Sequence, residues 1–139
     1  MNSAAVQNLV YALDQVIHNF GAVAIVGFAV LSLLPSQRRV ASEKTVFLAL
    51  LIAWAIQGAS GVIFGIVSLT FYGQLPDIHG IAVAAVSIKA VCVVLGLIVA
   101  GAGYSRASKS QIPPQHFSIL SIGLGSIALT AAAFLRWFS

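Results

Sequence analysis

Four long apolar stretches, separated by three short polar segments, dominate the pattern of the chain. They cover about residues 16–34, 45–71, 78–102 and 117–138, and each approaches or exceeds the roughly 20 apolar residues that cross a bilayer as a helix. The first span can also be the continuation of a helix that begins near Ser3. The pattern therefore predicts an all-α protein, a polytopic membrane four-helix bundle, with residues 1–139 forming a single transmembrane domain.

The composition supports this environment and excludes several classes of protein. Hydrophobic residues make up 60% of the chain and charged residues 7%, whereas a soluble domain carries about 25% charged residues. The net charge of +4 comes from few basic residues, mostly in two short loops, so a nucleic-acid partner is not expected. Cys92 is the single cysteine, which excludes an internal disulfide and CxxC chemistry.

The distribution of basic residues predicts the orientation. The first and third connections contain five of the seven Lys and Arg residues, namely Arg38, Arg39, Lys44, Arg106 and Lys109, and the second connection contains none. Under the positive-inside rule these two connections are cytoplasmic. Both termini then lie outside a plasma (inner) membrane, and Arg136 at the outer end of the fourth span is the exception.

A short repeat links the first and third spans. Ile17-His18 and Ile78-His79 are each followed, after a short interval, by Ala-Val-Ala. Both spans run from outside to inside, which predicts a helical hairpin used twice, with the halves related by an axis along the membrane normal. Parallel repeats would place His18 and His79 at similar depths near the outer face.

Two histidines on facing helices predict a metal site. A pair of imidazoles can hold haem iron in a bundle core, so His18 and His79 are the expected axial ligands. Asp14 lies four residues before His18 on the same helix face and is expected to accept its ring N–H. Interfacial histidines bonded to water or backbone, or ligands of another metal, are the alternatives.

Lys89 is the most unfavourable residue to place in a membrane. It lies ten residues past His79, about 15 Å along a helix, and therefore near the bilayer centre. A lysine at that depth is expected to face the protein interior. Its expected partner is a haem propionate, an acidic or quinone-like ligand, or the carboxylate of another subunit, and a snorkelling lysine is the alternative.

These residues resemble those of a known family. An early histidine and glycines (His18, Gly21), the Ser60-Gly61 step and Lys89 are similar to the membrane domain of the copper-resistance protein D family and related small cytochromes b, over about 80 residues of the first three spans. The resemblance implies a membrane helical bundle that binds haem or copper. Met1 is the only methionine, so copper(I) lacks its soft ligands and haem b is favoured.

The resulting hypothesis is a membrane haem b electron-transfer protein or subunit with one bis-histidine haem near the outer face. It would exchange electrons with a quinone or a periplasmic redox partner, as a subunit rather than a complete enzyme. Two alternatives stay open. One is a cofactor-free accessory subunit that binds other membrane subunits or its own copies, and the other is a small transporter that uses Lys89.

Overall fold

The described part of the chain is almost entirely helical. A computed structural model describes residues 3–34, 42–73, 79–109, 111 and 115–138. These residues form four helices and no strand: α1 (Ser3–Leu31), α2 (Glu43–Tyr72), α3 (Ile81–Ser108) and α4 (Gln115–Phe138). All four are long and apolar enough to cross a membrane. The predicted all-α membrane bundle is therefore confirmed, and the chain is a multi-pass membrane protein.

Two helices extend beyond the predicted spans. α1 begins at Ser3, which agrees with a first span that continues a helix begun near Ser3, because the segment before residue 16 is rich in good helix formers such as Ala, Leu and Gln. α3 continues to Ser108, beyond residue 102, since Gly103 packs within the helix under Phe47 and the first proline after it is Pro113. Ile78, the predicted start of the third span, lies outside the described residues. The early start of α1 places His18 in the middle of that helix.

The ends of α2 are set by local chemistry. Ser42 caps its start, because the Ser42 hydroxyl accepts a hydrogen bond from the Thr45 N–H at 3.2 Å. Gly73 ends it in the left-handed conformation, with φ at 69°, which a residue with a Cβ adopts only at a cost.

The helices pack in a ring in which each contacts the next and α4 contacts α1. Two glycines of α3 set the close approach to α2. Trp54 lies over Gly96 and Phe47 lies over Gly103, so closely that a Cβ at either glycine would overlap the aromatic ring. α1 and α4 are joined by a hydrogen bond of 2.6 Å between the hydroxyls of Ser32 and Ser118.

The interior is divided along its length. The end where α1 leads into α2, called here the α1–α2 end, contains an apolar core that includes Ile25, Ala29, Phe47, Leu50 and Trp54. The other half approaches the end where α2 leads into α3, called here the α2–α3 end, and it contains the polar side chains described below. Large apolar side chains such as Phe20, Val23, Val62, Ile98 and Ile119 point outward, as expected of helices in contact with lipid.

Candidate functional site

A contact between a lysine and a histidine crosses the interior of the bundle. Lys89 Nζ on α3 lies 3.3 Å from His18 Nε2 on α1. Because α1 and α3 are not neighbours in the ring, this contact spans the diagonal of the bundle. Both side chains are only partly exposed, and polar groups withdrawn from water must find partners within the protein.

Hydrogen-bond geometry identifies the tautomer of His18. Its Nδ1 lies 2.7 Å from Ser60 Oγ, and Ser60 Oγ lies 2.7 Å from the Ile56 carbonyl oxygen. A carbonyl only accepts, so Ser60 gives its single hydrogen to Ile56 and His18 Nδ1–H donates to Ser60. Nε2 then carries the lone pair that faces Lys89, whose ammonium form only donates. The four groups form one directional chain, from Lys89 through His18 and Ser60 to the Ile56 carbonyl.

Gln57 fixes the backbone next to His18. Its side-chain amide donates a hydrogen bond to the His18 carbonyl oxygen, and Gln57 is buried. Gly21 makes room for this amide, because a Cβ at Gly21 would lie 3.1 Å from Gln57 Nε2. One turn of α2, from Gln57 to Ser60, therefore contacts both the ring and the backbone of His18.

His79 does not lie at the level of His18. Lys89, the partner of His18, is eight residues into α3, about 12 Å from its first residue, Ile81. The packing of α2 on α3 also places Ser60, the other partner of His18, well inside α3. Val93 Cγ1 lies 3.0 Å from the position of a Cβ at Gly58, two residues before Ser60. His79 precedes α3 and is exposed.

The bis-histidine arrangement expected from the sequence is thus not formed by the described contacts. The repeat alignment matched the two histidines in depth, and the early start of α1 removes that match. Both ring nitrogens of His18 already have partners, and the described residues contain no group of three or more His, Cys, Asp or Glu side chains that could hold a metal ion. We therefore do not assign His18 as a metal ligand, and the haem site stays a prediction.

Asp14 lies one helical turn from His18 towards the start of α1. It is 8% exposed, and within the described ranges no hydrogen-bond or ion-pair partner stands within reach of its carboxyl. A buried carboxyl without a partner is unfavourable in its charged form. The expected bond from His18 to Asp14 is replaced by the bond to Ser60.

Comparisons with known proteins give no family. No family model matches the chain, and no curated protein or solved structure is significantly similar to it. Evidence for function therefore comes from the chemistry of four side chains, Asp14, His18, Ser60 and Lys89.

Sequence reasoning found the residues of the site but not their pairing. The sequence predicts that Lys89 faces the interior and that Asp14 shares a helix face with His18, and Ser60 enters only as part of the Ser60-Gly61 step. The contact between His18 and Lys89 was missed because His18 was placed at the start of its span. The signal that would have found it is the helix-forming segment before residue 16, which moves His18 to the middle of α1.

Proposed function

We propose that this protein is a small proton-transporting membrane protein, or the proton-binding subunit of a transporter, in which His18 and Lys89 bind protons inside the membrane. The observation that carries the proposal is the contact of 3.3 Å between Lys89 Nζ and His18 Nε2 across the bundle. Ionisable residues within membrane spans are unfavourable, and chains of them are typical of proton relays.

The contact favours a proton over a larger substrate. Both nitrogens of the His18 ring are already bonded within the bundle, so a bulky ligand would have to displace side chains, whereas a proton moves along the existing bonds. Two positive charges at this distance repel each other. The pair is therefore suited to hold one shared proton and to release it to a neighbouring acceptor.

The division of the interior supports access from one side. The apolar core, which contains Leu50 and Trp54 at 0% exposure, fills the bundle beyond the site towards the α1–α2 end. His18, Lys89 and the buried Asp14 lie on the opposite side. In this proposal the described state is open to protons from the α2–α3 end and closed by the apolar core at the other.

The orientation proposed for this state follows from the basic loops. Lys44, Arg106 and Lys109 lie at the α1–α2 end, which the positive-inside rule assigns to the cytoplasm. The His18–Lys89 pair would then accept protons from the external side of a plasma membrane.

A flux assay in lipid vesicles tests the proposal. The purified protein is reconstituted with a pH-sensitive dye inside, and a potassium gradient with valinomycin supplies a membrane potential. We expect the wild type to acidify the vesicles faster than protein-free vesicles, and His18→Ala and Lys89→Met to fall back to the protein-free rate, because each removes one end of the contact.

Matched variants control for folding and for general charge effects. His79→Ala and Lys109→Met remove the same residue types from exposed positions, and both are expected to keep the wild-type rate. Circular dichroism and monodispersity in detergent establish that all four variants are folded. The proposal fails if the folded wild type carries no more protons than empty vesicles, or if His18→Ala and His79→Ala behave alike.

A further inference from the structure

We propose that Asp14 is a second proton-binding group, which exchanges protons between the external side and the His18–Lys89 pair. This inference rests on the proposed function and assigns a role to a carboxyl that the described contacts leave without a partner. In this proposal, Asp14 is the side chain through which protons reach the His18–Lys89 pair.

The first observation behind this proposal is the position of Asp14 on α1. Asp14 and His18 are four residues apart, so they share a helix face and are separated by about 6 Å along the axis. Because His18 faces the interior, where it meets Ser60 and Lys89, Asp14 faces the same interior one turn closer to the external side.

The second observation behind this proposal is the burial of Asp14. At 8% exposure it is withdrawn from its surroundings but not sealed, whereas Trp54 and Leu50 further along the bundle are at 0%. A carboxyl in such a place gains from binding a proton, since the neutral form avoids an uncompensated charge. In this proposal, the proton is exchanged with water outside through this remaining exposure.

The ionisable groups around Asp14 are few. α1 itself supplies Tyr11 and His18, α3 supplies Lys89, and α4 supplies Arg136 at the same end of the bundle, while residues 57–71 of α2 contain no charged side chain. No ion pair joins Asp14 to Arg136 or Lys89 in the described structure, so its carboxyl is available for exchange.

The proposed transfer is balanced in protons and charge. After the His18–Lys89 pair has released its shared proton, the O–H bond of protonated Asp14 breaks and a new N–H bond forms on the pair. Asp14 is left as a carboxylate, and its negative charge is balanced by the positive charge that the pair has gained. A proton from the external side then restores the neutral carboxyl.

Infrared spectroscopy tests this role independently of transport. The chain contains only three acidic residues, Asp14, Glu43 and Asp77, so a protonated carboxyl band can be assigned by substitution. In oriented bilayers we expect a carboxyl C=O band that follows the external pH and shifts in deuterated water. Asp14→Asn should abolish it, and Glu43→Gln should leave it in place.

The flux assay supplies the second arm. Asp14→Asn is expected to slow proton uptake from the side of the α2–α3 end, and Asp14→Glu to restore part of it, because the carboxyl is retained. A wild type that shows the band without flux would contradict the proposed function alone. A band that survives Asp14→Asn, or an unchanged flux in that variant beside a functional wild type, would overturn the role of Asp14.

Discussion

At the residue scale, the contacts of His18 favour proton binding over iron binding. Its Nδ1 bonds to Ser60, and its Nε2 lone pair, which an iron ion would need, faces Lys89. An imidazole between a donor and an acceptor is instead arranged to pass a proton along its ring. His18 and Lys89, which the sequence associates with a haem site, form a contact that supports the proposed proton site.

Lys89 and its partner show which parts of the site can be predicted from the sequence and which cannot. That Lys89 faces the interior follows from the high cost of a lysine in lipid, and the structure agrees, because Lys89 contacts His18 on the diagonal helix. The sequence does not predict that His18 is the partner of Lys89. The depth of His18 in the membrane depends on where α1 begins, and α1 begins well before its most apolar part. The residue types in the spans limit which side chains can be the partner of Lys89, and the relative positions of α1 and α3 determine that this partner is His18.

At the element scale, small residues of α3 determine how close α2 approaches. Gly96 and Gly103 are both buried and both lie beneath an aromatic ring of α2. In a membrane, where lipid is as apolar as the side chains, such close packing is a main source of helix association. Composition alone does not distinguish the glycines that pack against another helix from those that face lipid.

A pair of glycine substitutions tests this distinction. Gly96→Ala should lower the free energy of unfolding by about 1–3 kcal/mol, because its Cβ would overlap the Trp54 ring and force the helices apart. Gly61→Ala is the matched control, since no atom lies within 4 Å of its Cβ position. It should be neutral or stabilise the protein by about 0.5–1 kcal/mol, because alanine favours the helix.

Thermal unfolding in detergent provides the measurement. The melting temperature of Gly96→Ala is expected to fall well below that of Gly61→Ala under the same conditions. Equal melting temperatures for the two variants would mean that the contact between Trp54 and Gly96 does not determine the packing of α2 on α3.

At the scale of the whole molecule, the bundle is asymmetric from one end to the other. The ionisable side chains Asp14, His18 and Lys89 lie in the half towards the α2–α3 end, and the apolar cluster with Phe47 and Trp54 lies in the half towards the α1–α2 end. The expected symmetry between two repeated hairpins is not expressed in this interior, because His18 and His79 lie at different depths. Four spans and their approximate limits were predictable from hydropathy, but this asymmetry depends on which side chains face inward.

Accessibility labelling tests the orientation of that asymmetry. Single cysteines replace His79, at the α2–α3 end, or Gln111, in the connection between α3 and α4, in a Cys92→Ser background. A membrane-impermeant maleimide should label His79→Cys on intact cells and Gln111→Cys only after permeabilisation, because the basic loops stay in the cytoplasm. The reverse pattern would place the proton site on the cytoplasmic side.

The contact between His18 and Lys89 underlies the whole account, and nitrogen NMR of histidine in lipid bilayers tests it most directly. The protein is labelled with ¹⁵N at its three histidines, and His18 is assigned by its loss in His18→Ala. We expect a neutral ring with hydrogen on Nδ1, and an Nε2 resonance that shifts in Lys89→Met while the resonances of His79 and His116 stay in place. An Nε2 resonance of His18 that is the same in the wild type and in Lys89→Met would contradict the account.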